Sequence, residues 1–376
     1  MIKSSKKSKL NPPNYTLLGL TLGLIFFGIT AIASASSVVS WNNQGNTYYY
    51  LVHQILFGVF PGLLLMVFFS KINYRFWQKI APLLIVLVLI LLLAVLIPGI
   101  GVEIGGARRW LDLGFTYVQP SEIAKLVLII YLAAWFDKRH RNLSDFMTGF
   151  LPSLVMAGVV AFLIYLQPDM GTLIVLTITA AAMFFTAGSQ IKHLLGTSAL
   201  VLVALFLAIK TAPYRAARII TFLDPSHDPQ GIGYHVNQAL LAVGSGGLLG
   251  YGYNNSVQKY NYLPEPMGDS IFAIIAEELG FIRVTLLMLL FVAFIWTGLN
   301  IAKRTPDNFA KLLAVGITTW IGIQAMINIG AMVAIMPLTG IPLPFISYGS
   351  SSLIAVLAAT GILLNISRQE TKAKQV

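Results

Sequence analysis

Long apolar runs broken by short polar segments organise this chain of 376 residues. A helix crossing the hydrocarbon of a bilayer needs about 20 residues, with a range of roughly 17–25. On that measure the sequence predicts ten spans, at 15–38, 49–69, 80–97, 120–136, 148–166, 171–188, 194–210, 270–298, 311–335 and 345–366. Only Gln167-Pro168-Asp169-Met170 separates the fifth from the sixth, and the eighth carries acids near its start. The expected fold class is an all-α polytopic membrane protein, with a long extracytoplasmic segment between the seventh and eighth helices. The chain divides into a basic tail (1–14), helices 1–7 (15–210), a cap (211–269), helices 8–10 (270–366) and a second tail (367–376). The first apolar run lies too far into the chain, and is too long, for an ordinary signal peptide, so it reads as a retained span. No internal repeat or coiled-coil heptad interrupts the pattern.

Composition excludes a soluble alternative. Hydrophobic residues make up 57% of the chain and charged residues only 10%, whereas soluble domains carry about 25% charge. There is no cysteine, which rules out disulfides, Fe–S clusters and Cys-ligated zinc. The formal charge of +11 could suggest nucleic acid, but the basic residues fall between apolar runs and at the termini, so no nucleic-acid partner is expected. With the N-terminus in the cytoplasm, 17 of the 25 lysines and arginines fall on the inner side, as the positive-inside rule requires. An even number of spans then places both termini inside, at the cytoplasmic (inner) membrane. Among the exceptions, Lys125 and Arg283 lie within spans, Arg108 and Arg109 follow the third, and Lys210, Arg215, Arg218 and Lys259 flank or occupy the cap. The cap holds an amphipathic stretch, Tyr214 to Leu223, with Arg215 and Arg218 on one face. A second helical stretch runs from Tyr234 to Val243, followed by the glycines of 244–252.

The candidate chemistry sits among the few charges. Asp269 directly precedes the eighth span. It either caps that helix or presents a carboxylate at an outer cleft, as a base or a metal ligand. Glu277 and Glu278 lie about two turns deeper, where ionisable groups pair or line a hydrated cavity. Glu122 and Lys125 stand at i and i+3, as a structural clasp or a cavity-lining pair. Asp169 either caps the sixth span or lines a broken helix. Arg108, Arg109, Arg215, Arg218 and Lys259 either anchor at headgroups or, if they converge, grip a diphosphate. No P-loop and no H-E-x-x-H is present, so neither a nucleotide site nor a zinc protease is expected. An outer cleft acting on a lipid-linked sugar needs cations or metal for the diphosphate and a carboxylate for the attacking hydroxyl. A lipid transporter could use the same cations.

Several motifs in order carry a resemblance. They are Gly106-Ala107-Arg108-Arg109-Trp110, Gln119-Pro120-Ser121-Glu122 with Lys125, and Gln167-Pro168-Asp169-Met170-Gly171-Thr172. Arg215, Arg218, Phe222, Asp224, Pro225, Gly246 to Gly250 and Gln258-Lys259 follow, then Leu263-Pro264-Glu265, Asp269 and Glu277-Glu278-Leu279-Gly280. The last is Gly340-Ile341-Pro342-Leu343-Pro344-Phe345-Ile346-Ser347-Tyr348-Gly349. Across 15–368 the chain resembles the SEDS family (shape, elongation, division, sporulation), FtsW/RodA branch, with a division-type assignment favoured. The resemblance implies ten transmembrane helices and a peptidoglycan glycosyltransferase that polymerises lipid II and releases undecaprenyl diphosphate. The alternatives are a lipid II flippase or a non-catalytic scaffold. It further implies a divalent metal (Mg2+ or Mn2+), a class B penicillin-binding protein transpeptidase as partner, and other divisome or elongasome membrane proteins. By the family pattern Asp269 would be the essential acid, Glu122, Lys125 and Asp169 would line or order the central cavity, and Arg109 would lie near it; Arg108, Arg215, Arg218, Lys259, Glu277, Glu278 and Ser347 complete the candidate cavity or substrate-binding set. One departure is local: the family reads His-Thr-Asp-Phe where this chain has Met267-Gly268-Asp269-Ser270.

Overall fold

In lipid, a backbone has no water to bond, so each apolar run satisfies its own N–H and C=O groups by forming a helix. The computed structural model of the chain describes residues 11–139, 145–210, 213–224 and 231–369. Polar residues start the helices where their oxygens reach free N–H groups. Asn14 accepts from Leu17 N (3.0 Å), Asp169 from Thr172 N (3.1 Å) and Asp307 from Ala310 N (3.0 Å). Among the described residues, eight helices are long and apolar enough to cross a membrane. They are Tyr15–Ala35, Tyr49–Lys71, Arg75–Leu96, Phe146–Tyr165, Ile191–Lys210, Ile271–Arg304, Asn308–Met332 and Ser350–Ser367. The protein is therefore a multi-pass, all-α membrane protein. The count differs from the ten expected for two reasons. Met170–Thr186 is apolar but has only 17 residues, and Pro120–Lys138 holds Glu122, Lys125, Asp137 and Lys138 within 19 residues.

Burial separates centre from periphery. The most apolar stretch of Ser350–Ser367 is 83% buried and that of Asn308–Met332 is 67%, whereas Ile191–Lys210 reaches only 6%. The central pair packs on Pro120–Lys138, Met170–Thr186 and Tyr49–Lys71, so polar residues on those faces meet one another rather than lipid.

The segment after Arg75–Leu96, expected as a loop, is a small antiparallel sheet of Gly101–Ile104, Ala107–Asp112 and Tyr117–Val118. Gly105 and Gly106 both take positive φ (61° and 74°), the geometry of a tight two-residue hairpin. In the cap, Pro213–Leu223 and Ile232–Ser245 are helices close to their expected limits. Pro225, part of the cap motif, and the lysines of residues 1–10 and 370–376 lie outside the described residues.

The glycines of 244–252 find their role in the helix Ile271–Arg304, which breaks at Gly280 (φ 73°). The break frees backbone groups inside the bundle, and the glycine turn takes them up. Tyr251 N and Gly252 N donate to the carbonyls of Glu277 (3.1 Å) and Glu278 (2.9 Å). Phe281 N and Ile282 N donate to Gly247 O (2.9 Å) and Leu248 O (3.2 Å). A Cβ at Gly246 would lie 2.1 Å from Ala276 O, and one at Gly250 would lie 2.2 Å from Glu278 O. The cap is thus plugged into the broken helix, and the helical half Ile271–Leu279 begins beside Asp269.

Candidate active site

Asp269 sits on a short connector whose backbone is held by the C-terminal third of the chain. Three successive carbonyls are clipped. Tyr348 N donates to Met267 O (2.8 Å), Ser347 Oγ to Gly268 O (2.7 Å) and Asn328 Nδ2 to Asp269 O (2.8 Å). Ser347 Oγ is itself oriented by Leu343 N (2.8 Å). Gly340, at φ 70°, lies beside the carboxylate, where a Cβ would come within 3.8 Å of Asp269 Oδ2. The Asp269 side chain itself is half-buried.

The electrostatics fit a proton acceptor. Burial pushes the Asp269 carboxyl up to about 6, and the Arg218 guanidinium and Ser270 hydroxyl pull the other way. Glu265 is also raised, first by burial and then by the negative charge of Asp269. His235 is lowered to about 4 by burial, with Glu265 opposing and Arg218 assisting, so it is neutral at pH 7. Its Nε2 lies 2.6 Å from Ser270 Oγ, which lies 2.7 Å from Pro264 O and 3.5 Å from Asp269 Oδ1. The Pro264 carbonyl and the ionised Asp269 carboxylate can only accept, so the Ser270 proton lies between these two acceptors and His235 Nε2 is the donor.

The other expected residues divide. Arg218 joins Asp269 and also donates to Leu338 O (3.4 Å). Arg215 turns away, donating to Ala208 O (3.0 Å) and stacking 4.5 Å from the centre of the Tyr165 ring. Lys259 is 1% exposed and donates to Ser34 Oγ (3.1 Å), Asn254 O (2.7 Å), Asn254 Oδ1 (2.6 Å) and Glu278 Oε1 (3.3 Å). Both acids of the 277–278 pair reach the same 254–259 loop. Glu277 accepts from Ser256 Oγ, Val257 N (3.0 Å) and Gln258 N (3.3 Å), and Glu278 accepts from Ser34 Oγ (2.5 Å) and Ser256 N (3.2 Å). Arg283, one turn further along, donates to Leu249 O (2.8 Å). Arg108 pairs across the hairpin with Glu103 (3.5 Å) and Arg109 is half-buried on the same strand. Of these residues, Arg218 acts on the Asp269 carboxyl through its charge and Ser347 holds the neighbouring Gly268 carbonyl, whereas Arg215 bonds Ala208 O and Lys259 bonds Ser34, Asn254 and Glu278.

Glu122 and Lys125 form a fully buried ion pair (2.8 Å). Lys125 Nζ also donates to Gln324 Oε1 (2.7 Å) and lies 5.1 Å from the centre of the Trp320 ring. Asp169, besides capping its helix, accepts from Gln119 Nε2 (3.1 Å) and Ser121 Oγ (3.4 Å). Gln324, Asn328, His235 and Ser270 were not anticipated. Gln324 and Asn328 did carry a signal: two carboxamides at i and i+4 inside an apolar run.

A groove of about 890 Å³ runs between Ile271–Arg304 and Asn308–Met332, lined by apolar side chains that include Phe272, Phe291, Ile295, Met326 and Met336. Its lining includes Phe272 and Ala276, on the helical half that follows Asp269.

Comparisons with known proteins agree over almost the whole chain. The FtsW/RodA/SpoVE family model, described as cell cycle protein, matches residues 15–372. Stage V sporulation protein E of Bacillus subtilis is 41% identical over 361 residues, 96% of this chain and 98% of that protein. A probable peptidoglycan glycosyltransferase FtsW of Geobacter metallireducens is 37% identical over 351 residues, 93% of each. Among solved structures, a chain of a peptidoglycan synthase complex that coordinates polymerization and crosslinking superposes with a TM-score of 0.78. The two share 28% identity, over 96% of this chain and 99% of that one. The rod shape determining protein RodA of Thermus thermophilus gives a TM-score of 0.68 at 28% identity, over 96% of this chain and 98% of that one. This chain belongs to the FtsW/RodA/SpoVE family of cell cycle proteins, the SEDS family.

Proposed function

We propose that this protein is a peptidoglycan glycosyltransferase that polymerises lipid II into glycan strands at the outer face of the cytoplasmic membrane, for division or shape. The observation that carries the reading is a half-buried carboxylate on a connector clipped at three successive carbonyls, with the Arg218 guanidinium near enough for its charge to hold the carboxyl down. Asp269 takes the proton of the acceptor sugar hydroxyl as that oxygen bonds to the anomeric carbon of the donor. The bond from the anomeric carbon to the diphosphate oxygen breaks, and undecaprenyl diphosphate departs with the electron pair on that oxygen. Arg218 faces the charge that develops there. Arg109 remains a candidate for the same anion.

A divalent cation fits this donor set in one mode. Among the described residues no group of three or more His, Asp or Glu is placed to hold a metal alone. Mg2+, however, is often bound by one or two carboxylates plus substrate phosphates, and Asp269 with neighbouring Glu265 supplies that pair. Bound there, Mg2+ or Mn2+ would offset the charge of the diphosphate.

In this reading the two helices that fall short of the membrane-crossing length or apolarity also span, giving ten. Both termini are cytoplasmic, and the 211–269 cap lies outside. The partner is a class B penicillin-binding protein among other divisome or elongasome membrane proteins, and the 890 Å³ groove is a surface suited to its apolar membrane helix. The test is glycan formation from lipid II by purified protein with its partner in detergent micelles, with and without chelator. Micelles offer no second leaflet, so a flippase would give no product there, and a scaffold would give only what its partner makes alone. Polymer that depends on this chain supports the reading, and its absence sinks it.

A further inference from the structure

Two carboxamides on one face of Asn308–Met332 hold the two segments that flank Asp269. Asn328 Nδ2 donates to the carbonyls of Asp269 (2.8 Å) and Ile341 (2.9 Å). One turn earlier, Gln324 Nε2 donates to the next carbonyl along, Pro342 O (2.9 Å). Gln324 Oε1 accepts from Lys125 Nζ (2.7 Å) and Trp320 Nε1 (2.8 Å), and Lys125 in turn donates to Glu122 (2.8 Å). Each of these side chains is 2% exposed or less. Turning either amide over would set oxygen against carbonyl oxygen, so both orientations are fixed by the partners. The buried pair is therefore joined to the connector bearing Asp269 by an unbroken series of contacts: ion pair, Gln324, the 341–342 backbone, Asn328, Asp269 carbonyl. None of these side chains touches the Asp269 carboxylate.

We infer that Glu122, Lys125, Gln324 and Asn328 form a positioning device that sets where Asp269 stands relative to the 340–342 segment. The ion pair fixes the Gln324 amide. The two carboxamides, rigid on a buried helix, then hold the opposing backbones at one spacing. An offset of about 1 Å at a reacting group can cost about 100-fold in rate, so a device acting only on the backbone can still govern turnover. Its effect on rate rests on the polymerase reading above; its effect on geometry does not.

The experiment uses both readouts on the full chain. The sequence has no cysteine, so Met267→Cys supplies a single thiol on the connector. Its labelling by a membrane-impermeant maleimide is timed in membranes carrying Asn328→Ser, Lys125→Met, or both. Gln324→Glu serves as an isosteric variant that keeps the acceptor for Lys125 and loses the donor to Pro342. The expected result is labelling at least about fivefold faster in each variant, with the double variant no faster than the larger single, since members of one network are not additive. Without the thiol, the same variants should lower kcat roughly 10–100-fold and leave KM for lipid II within about threefold. Unchanged labelling, effects that multiply, or lost thermal stability with kcat intact would overturn the inference. If the parent makes no polymer, the polymerase reading falls, and the labelling arm still decides the positioning claim.

Discussion

Lys259 looks, in sequence, like a cation free to bind a diphosphate, and the structure assigns it a different job. Its ammonium has four acceptor atoms within 3.3 Å inside the protein for its three protons, one of them on Glu278. Lys259→Met would leave the Glu278 carboxylate, 3% exposed, without its cation. Removing one member of a buried pair costs about 3–5 kcal/mol. Glu278 would keep Ser34 Oγ and the Ser256 N–H as donors, which places the cost near the lower end, about 3 kcal/mol. With an unfolding entropy of about 2.1 cal/mol/K per residue, a chain of 376 residues loses about 1.3 °C per kcal/mol, so thermal unfolding in detergent should fall by roughly 4 °C. Lys259→Met with Glu278→Gln removes both charges, so it should recover most of that loss. Lipid II KM should be unchanged in whatever fraction stays folded. A double variant less stable than the single, or a single variant that raises KM at normal stability, would refute the clasp.

Gly280→Ala puts a Cβ 2.2 Å from Gly250 N at a φ of 73°; it should lower the unfolding temperature and expose the cap to limited proteolysis. The proposed mechanism needs the base form of Asp269, and burial raises its carboxyl to about 6, so turnover should decline as pH falls below about 6. Ser270→Ala removes a group that lowers that value, so the acid limb should move to higher pH in a pH–rate profile. The sign for stability is opposite: a carboxyl raised on folding loses its stabilising contribution as pH rises through about 6. Asp269→Asn should therefore gain over the parent in unfolding temperature above pH 6, and not below pH 4. Arg218→Gln should raise KM for lipid II and shift the acid limb upward, because the guanidinium also holds the Asp269 carboxyl down; a profile with an unmoved limb would remove Arg218 from the site.

The apolar runs made the membrane fold legible, because burying unpaired backbone in lipid is so costly that long runs admit few other answers. Asp269, Glu122, Lys125 and Asp169 were legible for the same reason: charge at membrane depth needs an explanation. Direction was not. Arg215 and Arg218 share a helix face by spacing, yet one points to Tyr165 and the other to Asp269, and only packing decides this. The Gly280 break was hidden because glycine inside an apolar run looks like any small packing residue until the 247–252 turn arrives to take up its backbone. His235 reaches Ser270 from a separate helix of the cap, a proximity that no local pattern encodes.

Replacing a single oxygen-bearing group tests the chemistry with the least disturbance to the fold. Asp269→Asn preserves the shape of the side chain and removes its capacity to take a proton. Initial rates of glycan chain growth from lipid II, measured beside the parent at pH 7.5 with the same partner, should drop at least about 100-fold, as for loss of a general base, with partner binding retained. Chain growth at the parental rate would mean that the Asp269 carboxylate is not the base, and the account would fail.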